Sequence, residues 1–323
     1  MNVSAFIVTL NFLRSIVISF CDFSEKLTGR PVRKDTVKDD IFLWYLYYRE
    51  EMYLSGMKHG CLLLIIFCSC ASVRKMQIPE HTQDTLTGSE FYKQAVSMMW
   101  KQRDSFALRE ILAGDMPDFL RKFVAVRTSV TDSATGRHIH AVYYVSPDYM
   151  SIGSNKDWAR IPLTPMAAQQ IADSFHCFLP TRKMVNDIYK AAKVKLEPVP
   201  MYAFRDSTVT MWQHHLIIEG QRKGRKGLIA GIKKDVVISG KISRDPKPDR
   251  VAIYGWQRSN GVPIQPLYTG HVDWYVDYSH GIRLVYRKIK VNGHWMDYTD
   301  VLKDEKLKRL LCDEENCDFY RYN

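Results

Sequence analysis

Residues Thr269–Val285 read TGHVDWYVDYSHGIRLV. This stretch holds His271 and His280, Asp273 and Asp277, Ser279, Arg283 and the aromatic residues Trp274, Tyr275 and Tyr278. Val272, Trp274 and Val276 alternate with Asp273, Tyr275 and Asp277, the period of two that marks a half-buried strand. Ser279-His280-Gly281 interrupts the pattern, and Ile282 to Tyr286 reads as a second strand. The spacing therefore predicts a hairpin, with His271 at a strand start and His280 at its turn. Polar side chains placed so converge on a cleft, although a solvated hairpin with ordinary hydrogen bonds has the same pattern.

Working outward, the same half of the chain supplies further strands at Asp235–Ser239 and Arg250–Tyr254, separated by Pro246-Lys247-Pro248-Asp249. Upstream, Phe123–Val126 and His138–Val145 flank the turn Asp132–Gly136, and His138 and His140 share one strand face. Helical spacing covers Phe91–Trp100 and Phe106–Leu112, with Ser89 and Glu90 as start signals. Thr164-Pro165 is a cap followed by a first-turn proline, and Thr181 is a second N-cap, with its helix running to about Ala192. Val301–Leu311 reads as a basic amphipathic helix. The expected class is α+β, a helical N-terminal part packed on a largely antiparallel sheet, in one unit over residues 87–323.

The chain has 323 residues, 46% hydrophobic and 25% charged, as in ordinary globular proteins, with a formal charge of +11. That balance favours an anionic partner. Arg222, Lys223, Arg225, Lys226, Lys233 and Lys234 form the densest basic run, interrupted by glycines. It lacks the glycine–lysine–serine/threonine ending of a P-loop. Its alternatives are a patch receiving carboxylates or phosphates and a solvated loop.

Residues 57–70, MKHGCLLLIIFCSC, have the layout of a secretory signal: a basic residue, a short apolar run, then small residues around Cys70. Translation is therefore expected to begin at Met57, with residues 1–56 outside any domain, Cys70 lipidated and residues 71–86 a tether. A membrane anchor at residues 3–20 would place Arg14 in lipid. Export leaves Cys177, Cys312 and Cys317, and in an oxidising compartment predicts a Cys312–Cys317 bridge with Cys177 as a lone thiol. Cys177 stands before a predicted helix start, where partial positive charge and Arg182 or Lys183 would lower a thiol pKa. The alternative is a small buried core cysteine.

CFLPTRKMVNDIYKAA and GHVDWYV resemble the nucleophile helix and histidine strand of NlpC-type papain-like cell-wall peptidases. That resemblance implies a papain-like arrangement and cleavage of peptidoglycan stem peptides. Cys177 would be the nucleophile and His271 the base, with His280 or Asp273 orienting it. The family's Asp-Cys-Ser-Gly signature is absent, since His176 and Phe178 flank Cys177. SHGIRL resembles the L,D-transpeptidase signature, but Ile282 occupies the nucleophile's place. HVDW resembles the distal ligand segment of zinc D,D-peptidases, which implies His271, Asp273 and His280 as zinc ligands instead of a metal-free site. LPTRKMVNDIY, AGIKKDVV, VAIYGWQ and VDYSHGIRLV resemble a family of bacterial exported proteins that carries no assigned activity.

The leading expectation is an exported, lipid-anchored cell-envelope hydrolase acting on peptidoglycan. Tyr254, Trp256, Arg283, Lys233 and Lys234 are the candidate substrate contacts. The alternatives are a zinc hydrolase and a non-catalytic envelope protein binding glycan or an anionic polymer, with nucleic acid disfavoured as a partner.

Overall fold

The computed structural model describes residues 86–323, which belong to one compact unit. The expectations for Met57, the signal at 57–70, Cys70 and the tether ahead of residue 86 lie outside the described residues. Thr87 opens the fold with a capping box: its Oγ1 accepts the Glu90 amide at 3.2 Å while Glu90 Oε2 accepts the Thr87 amide at 3.0 Å. Helix α1 follows over Gly88–Ala95 and α2 over Trp100–Ala113, which stops at Gly114 in the left-handed conformation, φ 103°. Strands β1 (Val124–Thr131) and β2 (His138–Val145) pair antiparallel through their whole length around the predicted turn. A small hairpin, β3 (Ser151–Gly153) with β4 (Trp158–Arg160), leads to α3 (Pro165–Ser174).

Thr164 caps α3 and Thr181 caps α4 (Arg182–Ala191), each accepting the amide three residues on. Caps of this kind are each worth about 1 kcal/mol. Between the two helices lies β5, Cys177–Phe178. Helix α4 buries Met184, Val185, Ile188 and Tyr189, one apolar stripe at helical spacing. After β6 (Val194–Lys195), α5 runs over Thr208–Arg222, and β7 (Ile229–Ala230), β8 (Lys234–Val237), β9 (Arg250–Gln257) and β10 (Pro263–Val272) follow. The chain closes with β11 (His280–Gly281), β12 (Val285–Tyr286), β13 (Lys288–Val291), β14 (His294–Asp297) and α6 (Tyr298–Lys303).

The fold is α+β. One sheet runs β14-β13-β2-β12-β5, with β1 also paired to β2, and all its pairings are antiparallel. A second runs β10-β9-β8-β11, in which β11 lies parallel to β8. Helix α6 covers the first sheet where the Phe178 and Tyr298 rings stack at 4.0 Å between centroids, a contact worth about 1 kcal/mol beyond its area. Cys312 and Cys317 are joined as a disulfide. The tail beyond it is held by Tyr322, whose hydroxyl donates to the Val237 carbonyl at 2.6 Å and accepts the Ala252 amide at 3.0 Å.

The predicted hairpin at 272–286 is corrected. Strand β10 ends at Val272, Asp273–Trp274 turns, and β11 pairs with β8 rather than with the following segment. His271 accordingly stands at a strand end, not a start. Among the elements absent from the sequence reading, two are long. Strand β10 contains Pro263 and Pro266, tolerable because it is the sheet edge and carries register shifts around Gln265 and Tyr268. Helix α5 occupies the first part of what reads as a basic glycine-rich loop, and it buries Met211, His214, His215 and Ile218. The predicted helix at 301–311 is instead α6 plus a 3-10 turn at Lys308–Leu310.

Candidate functional site

The parallel pairing of β11 with β8 sets His280 opposite Lys234, and the Lys234 amide donates to the Ser279 carbonyl at 2.7 Å. Lys233, one residue ahead of β8, and Lys234, its first residue, have different surroundings. Lys233 lies 3.2 Å from His214 Nδ1 and donates to the Tyr278 carbonyl. Lys234 instead lies 5.1 Å over the Trp256 ring. Gly281 is required for this approach: a Cβ there would stand 2.5 Å from a Tyr149 ring carbon and 2.6 Å from Lys233 Cβ.

Asp277 is the centre of the site. It is fully buried, and its Oδ1 accepts the Ser279 amide at 2.8 Å and the Ser279 hydroxyl at 2.5 Å. Its Oδ2 accepts Arg205 Nη2 at 2.8 Å and the Tyr275 hydroxyl at 3.4 Å. Burial pushes this carboxyl upward, but His280, the Ser279 hydroxyl and Lys234 outweigh it and hold the group well below the usual carboxylate range. Arg205 comes from the loop before α5, which is tied down where the Tyr278 amide donates to the Arg205 carbonyl at 2.9 Å.

His280 Nε2 lies 4.0 Å from Asp277 Oδ1, beyond hydrogen-bond distance, and both its ring nitrogens are buried without a hydrogen-bond partner. Burial is the main cause that lowers its pKa, to about 4, against the pull of Asp277. The ring is therefore neutral at pH 7. His271 stands outside it, half-buried, with ring centroids 6.0 Å from His280, 4.7 Å from Tyr275 and 5.2 Å from Tyr268. Its pKa is also lowered, first by burial. The Tyr275 hydroxyl is pushed up to about 12, mainly by burial and then by Asp277, so it keeps its proton.

A second buried network supports this one from behind. Arg160 forks onto Asp148 at 2.9 and 2.6 Å and reaches Glu219 on α5 at 2.8 Å. His214 and His215 of α5 are kept neutral chiefly by burial, their pKa values lowered to about 2 and about 3. Burial lowers Lys233 to about 7. Asp235 is raised to about 7 by burial, accepts the Tyr149 hydroxyl at 2.9 Å and lies 3.8 Å from Arg283 Nε.

Several sequence expectations change here. Cys177 is on β5, ahead of the Thr181 cap, and follows His176 at φ 53°. Its Sγ donates to the Phe175 carbonyl at 3.2 Å, and burial alone pushes the thiol up. A nucleophilic cysteine needs the opposite environment, so Cys177 reads as a core residue. The carboxylate that meets His280 is Asp277, not Asp273, whose pKa is raised by burial and then by Asp249. Arg283 is fully buried, donating to the Ser146 and Ile229 carbonyls at 2.8 and 2.7 Å, and the Tyr254 hydroxyl donates to Asn186 at 2.9 Å. Both are structural. Lys233 is likewise enclosed, while Lys234, Trp256, His271 and His280 stay in the site.

Arg205, Tyr275 and Asp277 are the members missing from the predicted set. Asp277 followed by Ser279 is the local signal for an aspartate that binds the chain two residues on. Nothing marks Arg205 beforehand. Among the described residues, no group of three or more His, Cys, Asp or Glu is placed to hold a metal ion. Comparison with protein-family models, curated proteins and solved structures finds no match.

Proposed function

We propose that this protein is a hydrolase of the cell envelope that works by general acid–base catalysis. The observation supporting this reading is the convergence of His271 and His280 beside one buried carboxylate, Asp277, which is ion-paired with Arg205. Neutral imidazoles at pH 7 are competent bases. His271, the more accessible of the two, accepts a proton from water as the water oxygen adds to the substrate carbonyl. The Tyr275 hydroxyl, whose bond to Asp277 is long at 3.4 Å, turns from that carboxylate to donate to the oxygen that gains charge. When the C–N bond breaks, His271 returns the proton to the departing amine. Asp277 and His280 position this machinery. The assignment to envelope peptide rests on the signal-like segment at 57–70 and the formal charge of +11.

A second reading, an envelope protein that binds without cleaving, is favoured by the exposed aromatics Tyr202, Phe204, Trp274 and Tyr268. Chromatography and mass spectrometry of muropeptides incubated with wild type and with His271→Gln separate the two. New peptide termini from wild type alone support the hydrolase. Retention of intact muropeptides with no new termini supports the binding protein.

A further inference from the structure

The Lys234 residue is 6% exposed, and its ammonium makes no hydrogen bond or ion pair among the described residues, only the contact with the Trp256 ring. Burial lowers its pKa, and Asp277 opposes this only from beyond ion-pair distance, so an anion in contact with it would be favourable. Two buried side chains nearby carry unsatisfied nitrogens. The Trp256 indole Nε1–H has no acceptor, and neither His280 nitrogen has a partner. Trp256 is held in place by an unusual backbone: Gly255 has φ 111° and Trp256 itself φ 59°, with the Trp256 amide donating to the Lys233 carbonyl at 2.9 Å. A left-handed conformation at a bulky residue costs energy and persists only where surrounding structure imposes it. Here it separates Trp256 from Tyr254, which packs in a different apolar cluster with Val185 and Leu267.

We infer that Lys234, the Trp256 indole N–H and His280 form a receptor for a carboxylate of the substrate, next to the proton-transfer group His271. Asp277 already has Arg205 as its salt-bridge partner at 2.8 Å, which leaves the Lys234 ammonium for the ligand. One buried ammonium balances one negative charge, so a carboxylate fits and a dianion would be left half compensated. The substrate class is therefore a peptide or acidic sugar derivative with a free carboxylate close to the bond that is cut. The inference rests on reading this cluster as the substrate site.

The test is a nitrogen-15 NMR titration of the intact protein with acetate and, at matched ionic strength, sulfate, following the Trp256 indole N–H assigned by Trp256→Phe. Acetate should shift this resonance saturably and sulfate should not. Lys234→Met should weaken acetate binding by about tenfold or more, since a charge-assisted bond is lost. A urea melt and the dispersed amide spectrum of that variant show whether it is folded, so a lost response is not a lost fold. An indole signal indifferent to acetate, an equal response to sulfate, or unchanged binding in Lys234→Met would overturn the inference. A normal acetate response in a protein that cleaves nothing would remove the hydrolase reading and keep this one. Cleavage without an acetate response would do the reverse.

Discussion

His280 offers a direct physical handle on the site, because its buried neutrality must appear as a pH dependence of stability. In the unfolded chain this imidazole takes a proton near its ordinary pKa of 6.5, and in the folded protein only near 4. Between those values the unfolded state binds more protons, so stability is full above about pH 6.5 and falls as the pH drops towards 4. The gap in pKa corresponds to about 3 kcal/mol at 1.36 kcal/mol per unit. His214 and His215, held neutral by the same burial, act in the same direction. The clean comparison is therefore wild type against His280→Leu, a swap close in volume that leaves no unpaired nitrogen. Urea unfolding at intervals from pH 4.5 to 7.5, the disulfide kept intact, should show the variant losing about 2.5 kcal/mol less than wild type over this range. Equal slopes for the two proteins would mean that His280 titrates as an exposed histidine, and the enclosed site described above would be wrong.

Other outcomes follow from neighbouring groups. Cys177 should resist iodoacetamide in the native protein at neutral pH, and Cys177→Ala should cost about 1–2 kcal/mol as a small cavity while leaving catalysis intact, measured by urea melts and turnover. Asp148→Asn should destabilise by about 3 kcal/mol, because it removes the buried charge 2.6 Å from Arg160 and leaves that guanidinium only Glu219 as an ion-pair partner. Asp235 runs opposite to His280: its raised pKa means that stability present below about pH 4 is lost as pH rises towards 7. Asp235→Asn should then equal or exceed wild type in stability at pH 8. Reduction of the Cys312–Cys317 bridge should lower stability by about 2 kcal/mol from loop entropy, read as a drop in Tm.

The comparison between chain text and fold divides along physical lines. Thr164 and Thr181 announce their helices because a cap is a local event, and the turn at Asp132–Gly136 announces the β1–β2 hairpin for the same reason. The site stretch misleads because the alternation of Val272, Trp274 and Val276 is real in residue type but is not the alternation of a strand. Trp274 is exposed in a turn, while Val276 and Asp277 are both buried. What decides that region is a parallel pairing with β8, a long-range contact that no periodicity encodes. The same limit hides Arg205, which reaches Asp277 from 72 positions away. The cysteine misleads for a different reason. Its place near a capped helix is legible, but β5 intervenes, and burial decides its chemistry.

The most direct measurement is the release of new termini from purified muropeptides by wild type, Cys177→Ala and His271→Gln, followed side by side at pH 7. The account predicts cleavage by wild type and by Cys177→Ala at comparable rates, and a loss of about a hundredfold or more in His271→Gln, the scale of a missing acid–base group. Cleavage that survives in His271→Gln but disappears in Cys177→Ala would contradict it and return the chemistry to the thiol.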